Sequence, residues 1–528
     1  MASKKVAASE EPSEGPLRFS LLSEEFFSVR CAAGQLKLTL PQVLAALAKD
    51  EVEGFQALQP HQQHAWHAFT VQLAAIALQA QGKSDPRQSA ETWAKWLRAL
   101  TDGAEEPWCL VVGDLSKPAF MQPPIPGGSL TSWKGAGAAP DEIDLLVTAK
   151  NHDVKVRRID LASAEHWLYA LVSLQTMQGF LGAGNYGIAR MNGGFSNRPG
   201  IGFADGLSLG ARFKGDVAAL LKHRDDVLDA YQYSADPRPA LLWTLPWDGS
   251  SPPLQLKECD PFFIEVCRRV RLRIGTNGQI EALGIPTKAA RVANSAGLTG
   301  DAWTPVGEKA ALTVSGGGFH YELVSDLLFD PKRFRLGAAM QPDRGRKDPF
   351  LIAQALVRGQ GKTEGLHQRI LPLTPRIEEQ LADPEARMQL ALAARARIDA
   401  VEKVRKKALK PALCALFQGA PEDGKLDYQD DRPQRWLNAL EDEVDRDFFA
   451  DFFQTYHSEA DDGLDGWKRR VGDLAHAQLQ AAMHGGPVPT QRRYAAETMA
   501  EAIFRASFAK HLELPLYSEA KHDEPSAG

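Results

Sequence analysis

The chain has 528 residues, 44% of them hydrophobic and 24% charged, with 61 basic against 67 acidic side chains for a formal charge of −6. That length exceeds one simple core, and the apolar fraction excludes a disordered chain. The acidic balance excludes a bulk, histone-like polyanion binder and leaves open only local basic patches.

The start, MASKKVAASEEPSEGP, is polar and lacks the apolar run of a secretory signal, so residues 1–17 read as a disordered tail. From Thr39 to Gly82 the pattern is helical. Val43, Leu44 and Leu47 share one face, followed by Trp66, Phe69, Leu73, Ile76 and Ala77 on the next. Within it Ala68–Ala80, broken by Thr70, Gln72 and Gln79, is too short to span a bilayer. Residues 105–150 are rich in Pro and Gly and predict loops with short strands. Another apolar helix is expected near Ala162–Met177.

Past Gly179, short strands alternate with glycine turns through Leu371, as in the Thr-Asn-Gly turn 276–278 between Val270–Ile274 and Ile280–Leu283. From Pro375 the chain is almost wholly helical, with amphipathic segments near 384–418, 432–456, 463–484 and 490–512; Pro411 should kink or interrupt the first. Short joints between them predict an antiparallel four-helix bundle. The expected class is α+β: a large irregular mixed N-terminal domain over 18–374, a C-terminal four-helix bundle over 375–517, and a disordered tail over 518–528. Five scattered cysteines without a CxxC pair point to a reducing compartment, and the expectation is a soluble cytoplasmic protein without membrane contact.

Charge is unevenly spread. Residues 1–149 hold 12 basic and 17 acidic side chains, net −5; residues 150–370 hold 28 and 22, net +6; residues 371–528 hold 21 and 28, net −7. The middle stretch also carries 26 of the 44 glycines. A basic, glycine-rich middle between acidic flanks predicts a polyanion-facing surface.

Catalytic signatures are weak beside it. Gly206-Leu207-Ser208-Leu209-Gly210 matches GxSxG, but Arg198–Asp205 before it, with Pro and two glycines, makes a poor central strand for a nucleophile elbow. Gly359-Gln360-Gly361-Lys362-Thr363 resembles the end of a P-loop, yet the first glycine of that motif is replaced by Leu356. His61, His64 and His67 fan out over too wide an arc for one ion and read as a polar helix face. Glu441, Asp442, Glu443, Asp445, Asp447 and Asp451, interleaved with Leu440, Val444, Phe448 and Phe452, read as the wet side of an amphipathic helix.

Four features remain. Lys150–Arg158 is a basic loop; Asn192-Gly193-Gly194-Phe195-Ser196-Asn197-Arg198 brings bare backbone to a surface; Arg268-Arg269-Val270-Arg271-Leu272-Arg273 predicts a basic strand stripe followed by Lys288 and Arg291; and Arg358–Lys362 closes the set. Basic loops with glycines and no acid–base constellation are the profile of a nucleic-acid reader. By chemistry alone Lys150, Lys155, Arg157, Arg268, Arg269, Arg271 and Lys362 are candidate phosphate contacts.

In order, Phe19-Ser20-Leu21-Leu22, Val29-Arg30, Leu38–Ala46, Pro118-Ala119-Phe120-Met121-Gln122, Asn192-Gly193-Gly194-Phe195, Trp243-Thr244-Leu245-Pro246-Trp247, Cys259-Asp260-Pro261, Arg358–Arg369 and the helical C-terminus resemble the CasA-type large subunit of the type I-E CRISPR Cascade complex. The resemblance implies a non-enzymatic, cofactor-free subunit of a ribonucleoprotein. Such a subunit recognises the protospacer-adjacent motif (PAM) in double-stranded target DNA, promotes duplex opening and R-loop formation, and recruits a helicase-nuclease. Its implied partners are the guide RNA and the backbone and small Cascade subunits. The resemblance also implies that Gly193 and Gly194, with Asn192, form a minor-groove glycine loop, and that Lys288 is a lysine finger, with Arg291 and Lys257 as alternatives. Gln360 would be a glutamine wedge, and Asn151 would lie in the loop reaching the RNA end and the PAM. It gives the bundle contacts to the small subunits and the displaced strand, for which Lys406, in the strip Lys403, Arg405, Lys406, Lys407 and Lys410, is the best candidate. Some relatives carry a cysteine cluster after Cys-Asp-Pro; with only Cys259 and Cys267 here, no structural zinc is expected. The alternatives are an α/β hydrolase using Ser208 and a purely structural ribonucleoprotein subunit.

Overall fold

Several helix starts in this chain, at Thr39, Ser208 and Asp383 among others, are set by short polar side chains that cap the first turn. The computed structural model describes residues 17–146, 162–191, 194, 196–250, 252–293, 295–359, 362–456 and 462–516. Thr39 accepts from the Gln42 N–H and Gln42 accepts from the Thr39 N–H, a reciprocal cap that opens α1 (Leu40–Lys49). Asp50, at φ 63, ends it. The helical pattern expected from Thr39 to Gly82 is therefore split. A short strand at Gly54–Phe55 intervenes before α2 (Gln63–Ala80), which is buried continuously from His64 to Leu78. Beside it packs α3 (Ala164–Met177), with Tyr169 edge-on to Trp66 at 5.1 Å.

The described residues pack as two compact units. The first comprises Met1–Phe319 and Pro331–Glu379 and holds α1 to α3 with four small sheets. In one sheet β1 (Lys134–Gly137) pairs with β4 (Ile280–Ile285), which pairs with β3 (Arg269–Ile274) across the expected turn, where Gly278 takes φ +77. In another, β2 (Gly200–Asp205) lies on the edge beside β5 (Pro349–Gly359), which forms an eleven-residue antiparallel hairpin with β6 (Lys362–Pro372). The pairing shifts register at Val357/Arg358, which adds local twist near the end of the hairpin. Between β2 and the hairpin in sequence, α4 (Leu209–Lys222) occupies part of the stretch expected to be strands and turns.

The second unit comprises His320–Asp330 and Gln380–Gly528. The four long helical segments expected there are present. The first is α6 (Pro384–Lys403), a π-helical turn Val404–Leu409, and α7 (Lys410–Phe417). The others are α8 (Gln434–Thr455), α9 (Asp462–Gly485) and α10 (Arg493–Leu512). Pro411 lacks an N–H and its ring crowds the carbonyl four residues earlier, and the widened turn lies directly ahead of it. Inside the stretch expected to belong wholly to the mixed domain, α5 (Tyr321–Phe329) packs with these helices. Tyr321 stacks on Phe448 at 4.9 Å, its N–H donates to Asp445 at 2.6 Å, and Phe329 meets Phe452 edge-on. The acidic run is correspondingly less wet than expected: Glu441 lies 3.0 Å from Arg405, and Asp447 and Asp451 both face Arg470. Leu440, Val444, Phe448 and Phe452 are fully buried on the other side. No helix among the described residues is long and apolar enough to cross a membrane.

Candidate nucleic-acid interface

Burial sorts the arginines around β3. Alternation places Arg269, Arg271 and Arg273 on one face, but that face turns inward at its centre. Arg271 has no exposed surface, and its guanidinium donates to the carbonyls of Val112 (2.9 Å), Lys117 and Asp114 (both 3.1 Å). Burial lowers its pKa to about 10, so it stays charged at neutral pH. Arg268 is 8% exposed and donates to the carbonyls of Tyr186, Cys267 and Gly179. Both leave the set of expected phosphate contacts, because their donors are turned inward onto backbone carbonyls. Arg269 is half-buried over the Trp133 ring, and Arg273 pairs with Glu281 at 2.6 Å. The expected stripe is thus one partly open cation and one surface ion pair.

One of these two inward arginines, Arg268, fixes the segment carrying the glycine loop. Arg268 clamps Gly179 and Tyr186, and Gln178 bridges to Asn197. The Gly194 carbonyl accepts from the N–H groups of Phe180 (3.2 Å) and Ser196 (2.9 Å). Gly179 is obligatory: a Cβ there would lie 1.9 Å from the Ser196 carbonyl oxygen. On the other flank Glu265, fully buried, accepts from the Ala189 N–H at 2.9 Å, and Arg198 forms a buried two-pronged pair with Asp301 at 2.6 and 2.7 Å. Asn192, Gly193 and Phe195 lie outside the described residues.

The hairpin meets this segment near its closed end. The Asn197 amide donates to the Leu356 carbonyl at 3.1 Å, and the Thr363 hydroxyl to the Leu146 carbonyl at 3.2 Å. Leu146 is the last described residue before the basic loop; Lys150, Asn151, Lys155 and Arg157 lie outside the described residues. So do Gln360 and Gly361, which join Gly359 to Lys362, and the Lys362 side chain. Since Gly359 pairs with Lys362 in an antiparallel ladder, this segment is strand–connection–strand and not the strand–loop–helix of a P-loop.

Lys288 is exposed and held by its backbone: its N–H donates to Gly249 at 2.7 Å, and that of Thr287 to Gly184 at 3.0 Å. The 178–198 segment therefore touches the hairpin through Asn197, Arg268 through Gly179 and Tyr186, and the Lys288 turn through Gly184. Of the alternatives to Lys288, Lys257 is exposed, whereas Arg291 is 6% exposed and donates to the Leu242, Leu245 and Pro246 carbonyls.

In the second unit Lys406 pairs with Glu402 at 2.7 Å. It lines a cleft of about 830 Å³ together with Arg405, Lys407, Lys410, Tyr428 and His511. The π-helical turn supplies the first three of these cations.

The remaining motifs resolve into structure. Arg198–Asp205, a poor central strand by sequence, contributes the edge strand β2, and Ser208 does sit between a strand and a helix. Its hydroxyl caps α4 by accepting from the Ala211 N–H at 3.2 Å and donates to Asp50 at 2.8 Å, which leaves it without a histidine base among the described residues. The histidines do not form a solvated face. His61 bonds Asp144 at 2.6 Å, His67 bonds Asp216 at 2.8 Å, and His64 is buried, its basicity lowered by desolvation. Burial lifts the Cys259 thiol to about 12 and the Cys267 thiol to about 11. Among the described residues no three His, Cys, Asp or Glu side chains gather as a metal site. Sequence pattern assigns no role to Asp301 or Glu265; an isolated acid inside an apolar run, such as Phe262-Phe263-Ile264-Glu265-Val266, is the available signal.

No family model matches the chain, and no curated protein matches its sequence. Solved structures do. The chain superposes on CasA of Thermus thermophilus with a TM-score of 0.57 at 14% identity, over 93% of this chain and 100% of that one. For Cse1 of Acidimicrobium ferrooxidans the TM-score is 0.61 at 14% identity, over 95% and 99%. A chain of a CRISPR RNA-guided surveillance complex gives 0.61 at 12% identity, over 93% and 100%. Over 93–95% of its length, this chain has the CasA/Cse1 fold.

Proposed function

We propose that the chain is a non-catalytic large subunit of an RNA-guided CRISPR surveillance complex. In this reading it recognises a PAM in duplex DNA, promotes its opening and supports recruitment of a helicase-nuclease. One observation carries the reading: the flank of the glycine loop, the closed end of the hairpin and Leu146, the last described residue before the basic loop, are tied together by side-chain hydrogen bonds, within a fold shared with CasA/Cse1. Glycine backbone suits close approach to a narrow minor groove, where pattern readout is degenerate and fit matters. A side chain at the hairpin connection suits insertion into a base step, whose unstacking costs a few kcal/mol and is offset by phosphate contacts and guide pairing. In this reading Asn192, Gly193, Gly194, Lys288 and Gln360 face the PAM, while Lys150, Asn151, Lys155, Arg157, Arg269 and Lys362 face nucleic-acid backbone. The complex works in the cytoplasm with guide RNA and the backbone and small Cascade subunits.

The test is binding of the assembled complex to duplexes with varied PAM sequence. Lys288→Ala and Gln360→Ala should each weaken binding to the preferred duplex about tenfold, with assembly intact. A flat response across PAM variants together with unchanged affinity in both mutants would reject the reading.

A further inference from the structure

Sequence marks Arg358 only as one member of a basic run. It sits at the register shift near the end of β5, one residue before the Gly359–Lys362 closing pair, and is only 7% exposed. Its Nε and Nη1 have no hydrogen-bond partner among the described residues. The comparable buried arginines in this unit are otherwise employed: Arg271 and Arg291, each with an unpaired Nε of its own, hold three carbonyls each, Arg268 another three, Arg190 the Pro261 and Phe263 carbonyls, and Arg198 holds Asp301. The surroundings make this worse for the charge. Burial and the positive charge of Arg268 both act against the Arg358 cation, and its pKa falls to about 10. Asp144 acts in its favour, but that carboxylate already accepts from Gln62 at 2.5 Å and the Leu146 N–H at 3.0 Å and bonds His61 at 2.6 Å. A desolvated, unpaired guanidinium beside a second cation is unfavourable as it stands and becomes favourable when an anion arrives.

We propose that Arg358 and Arg268 frame an anion site beneath the closed end of the hairpin, and that a phosphodiester of the bound DNA duplex completes it by accepting from the free donors of Arg358. The assignment rests on the duplex-reading function above and adds a contact to it. DNA fits better than guide RNA because Arg358 lies two residues from Gln360 and two from Leu356, whose carbonyl accepts from Asn197 on the flank of the glycine loop. Both free donors are covered in the unbound chain, so the phosphodiester reaches them only as the atoms above them give way. Arg268 contributes charge here, its donors remaining on the loop carbonyls.

The experiment compares wild-type complex with Arg358→Met and Arg358→Lys, measuring affinity for PAM-bearing duplex against salt concentration and the thermal midpoint of the chain. Arg358→Met should bind the duplex at least tenfold more weakly, with the slope of log K against log[salt] shallower by about 0.9, the mark of one lost phosphate contact. Its midpoint should stay level or rise, because an unpaired buried charge is gone. Arg358→Lys should retain the slope. An unchanged slope with a lowered midpoint would show a purely structural arginine and overturn the proposal, as would loss of guide RNA from the complex with DNA slope unaltered. If wild type itself fails to distinguish PAM-bearing from PAM-less duplex, the duplex-reading function fails. If wild type distinguishes them and Arg358→Met keeps the slope, only the Arg358 site does.

Discussion

At the scale of single residues, the first unit uses buried charge to position loops. Arg271 and Arg268 each hold three carbonyls, and Glu265 holds the Ala189 N–H beside the glycine segment. The same composition that suggests a surface stripe therefore supplies internal brackets, and only burial tells them apart. Glu265 yields a pH prediction. Its carboxyl is raised by burial to about 7 from an ordinary 4.5. Between those values the native state keeps a proton that the unfolded chain has released, so stability falls as pH rises through this window. The loss is complete above pH ~7 and amounts to about 3 kcal/mol. Glu265→Gln keeps an acceptor for Ala189 and cannot ionise. Relative to wild type, its thermal midpoint should therefore rise between pH 5 and pH 8. A midpoint difference independent of pH would mean that Glu265 is not protonated in the native state.

At the scale of elements, legibility followed periodicity. The four bundle segments and the 164–177 helix showed in the sequence because their apolar faces repeat at helical spacing. The Arg269–Ile285 hairpin showed through its Asn-Gly turn. The hairpin Pro349–Pro372 falls in the stretch that the sequence reads as short strands alternating with glycine turns, since nothing local sets the register of two eleven-residue strands. Helix Tyr321–Phe329 was missed because nine residues give barely two turns of pattern, and its partners Phe448 and Phe452 lie more than a hundred residues away. Site residues divide likewise: composition located the basic segments, while the pairing of Asn197 with Leu356 and of Thr363 with Leu146 is tertiary. Ser208 illustrates a motif explained by its element. Ser208→Ala should cost about 1 kcal/mol through the lost cap, seen as a small drop in thermal midpoint, with duplex affinity unchanged. A fluorophosphonate probe should label neither protein; labelling lost in the mutant would restore the hydrolase reading.

At the scale of the whole molecule, the uneven charge has a functional sense. For the proposed duplex-reading role, strong phosphate attraction everywhere would give tight, salt-sensitive binding to any DNA, whereas a net charge of −6 with the basic excess restricted to residues 150–370 limits it. The second unit follows the same rule on its own. Residues 371–528 carry a net of −7, yet one cleft gathers Arg405, Lys406, Lys407, Lys410 and His511. Arg405 is engaged by Glu441 and Lys406 by Glu402, while Lys407 and Lys410 have no ion pair among the described residues. Tyr428, 49% exposed in the same cleft, offers a ring for base stacking. These features suit the displaced single strand better than a rigid duplex. A double change, Lys407→Ala with Lys410→Ala, should therefore leave affinity for a PAM-bearing duplex that cannot pair with the guide unchanged. On a guide-matched target it should make the salt dependence shallower by about 1.4, two single-strand phosphates at about 0.7 each. Equal losses on both DNAs would instead assign the lysines to the closed duplex. No loss on either would leave the cleft without a nucleic-acid role.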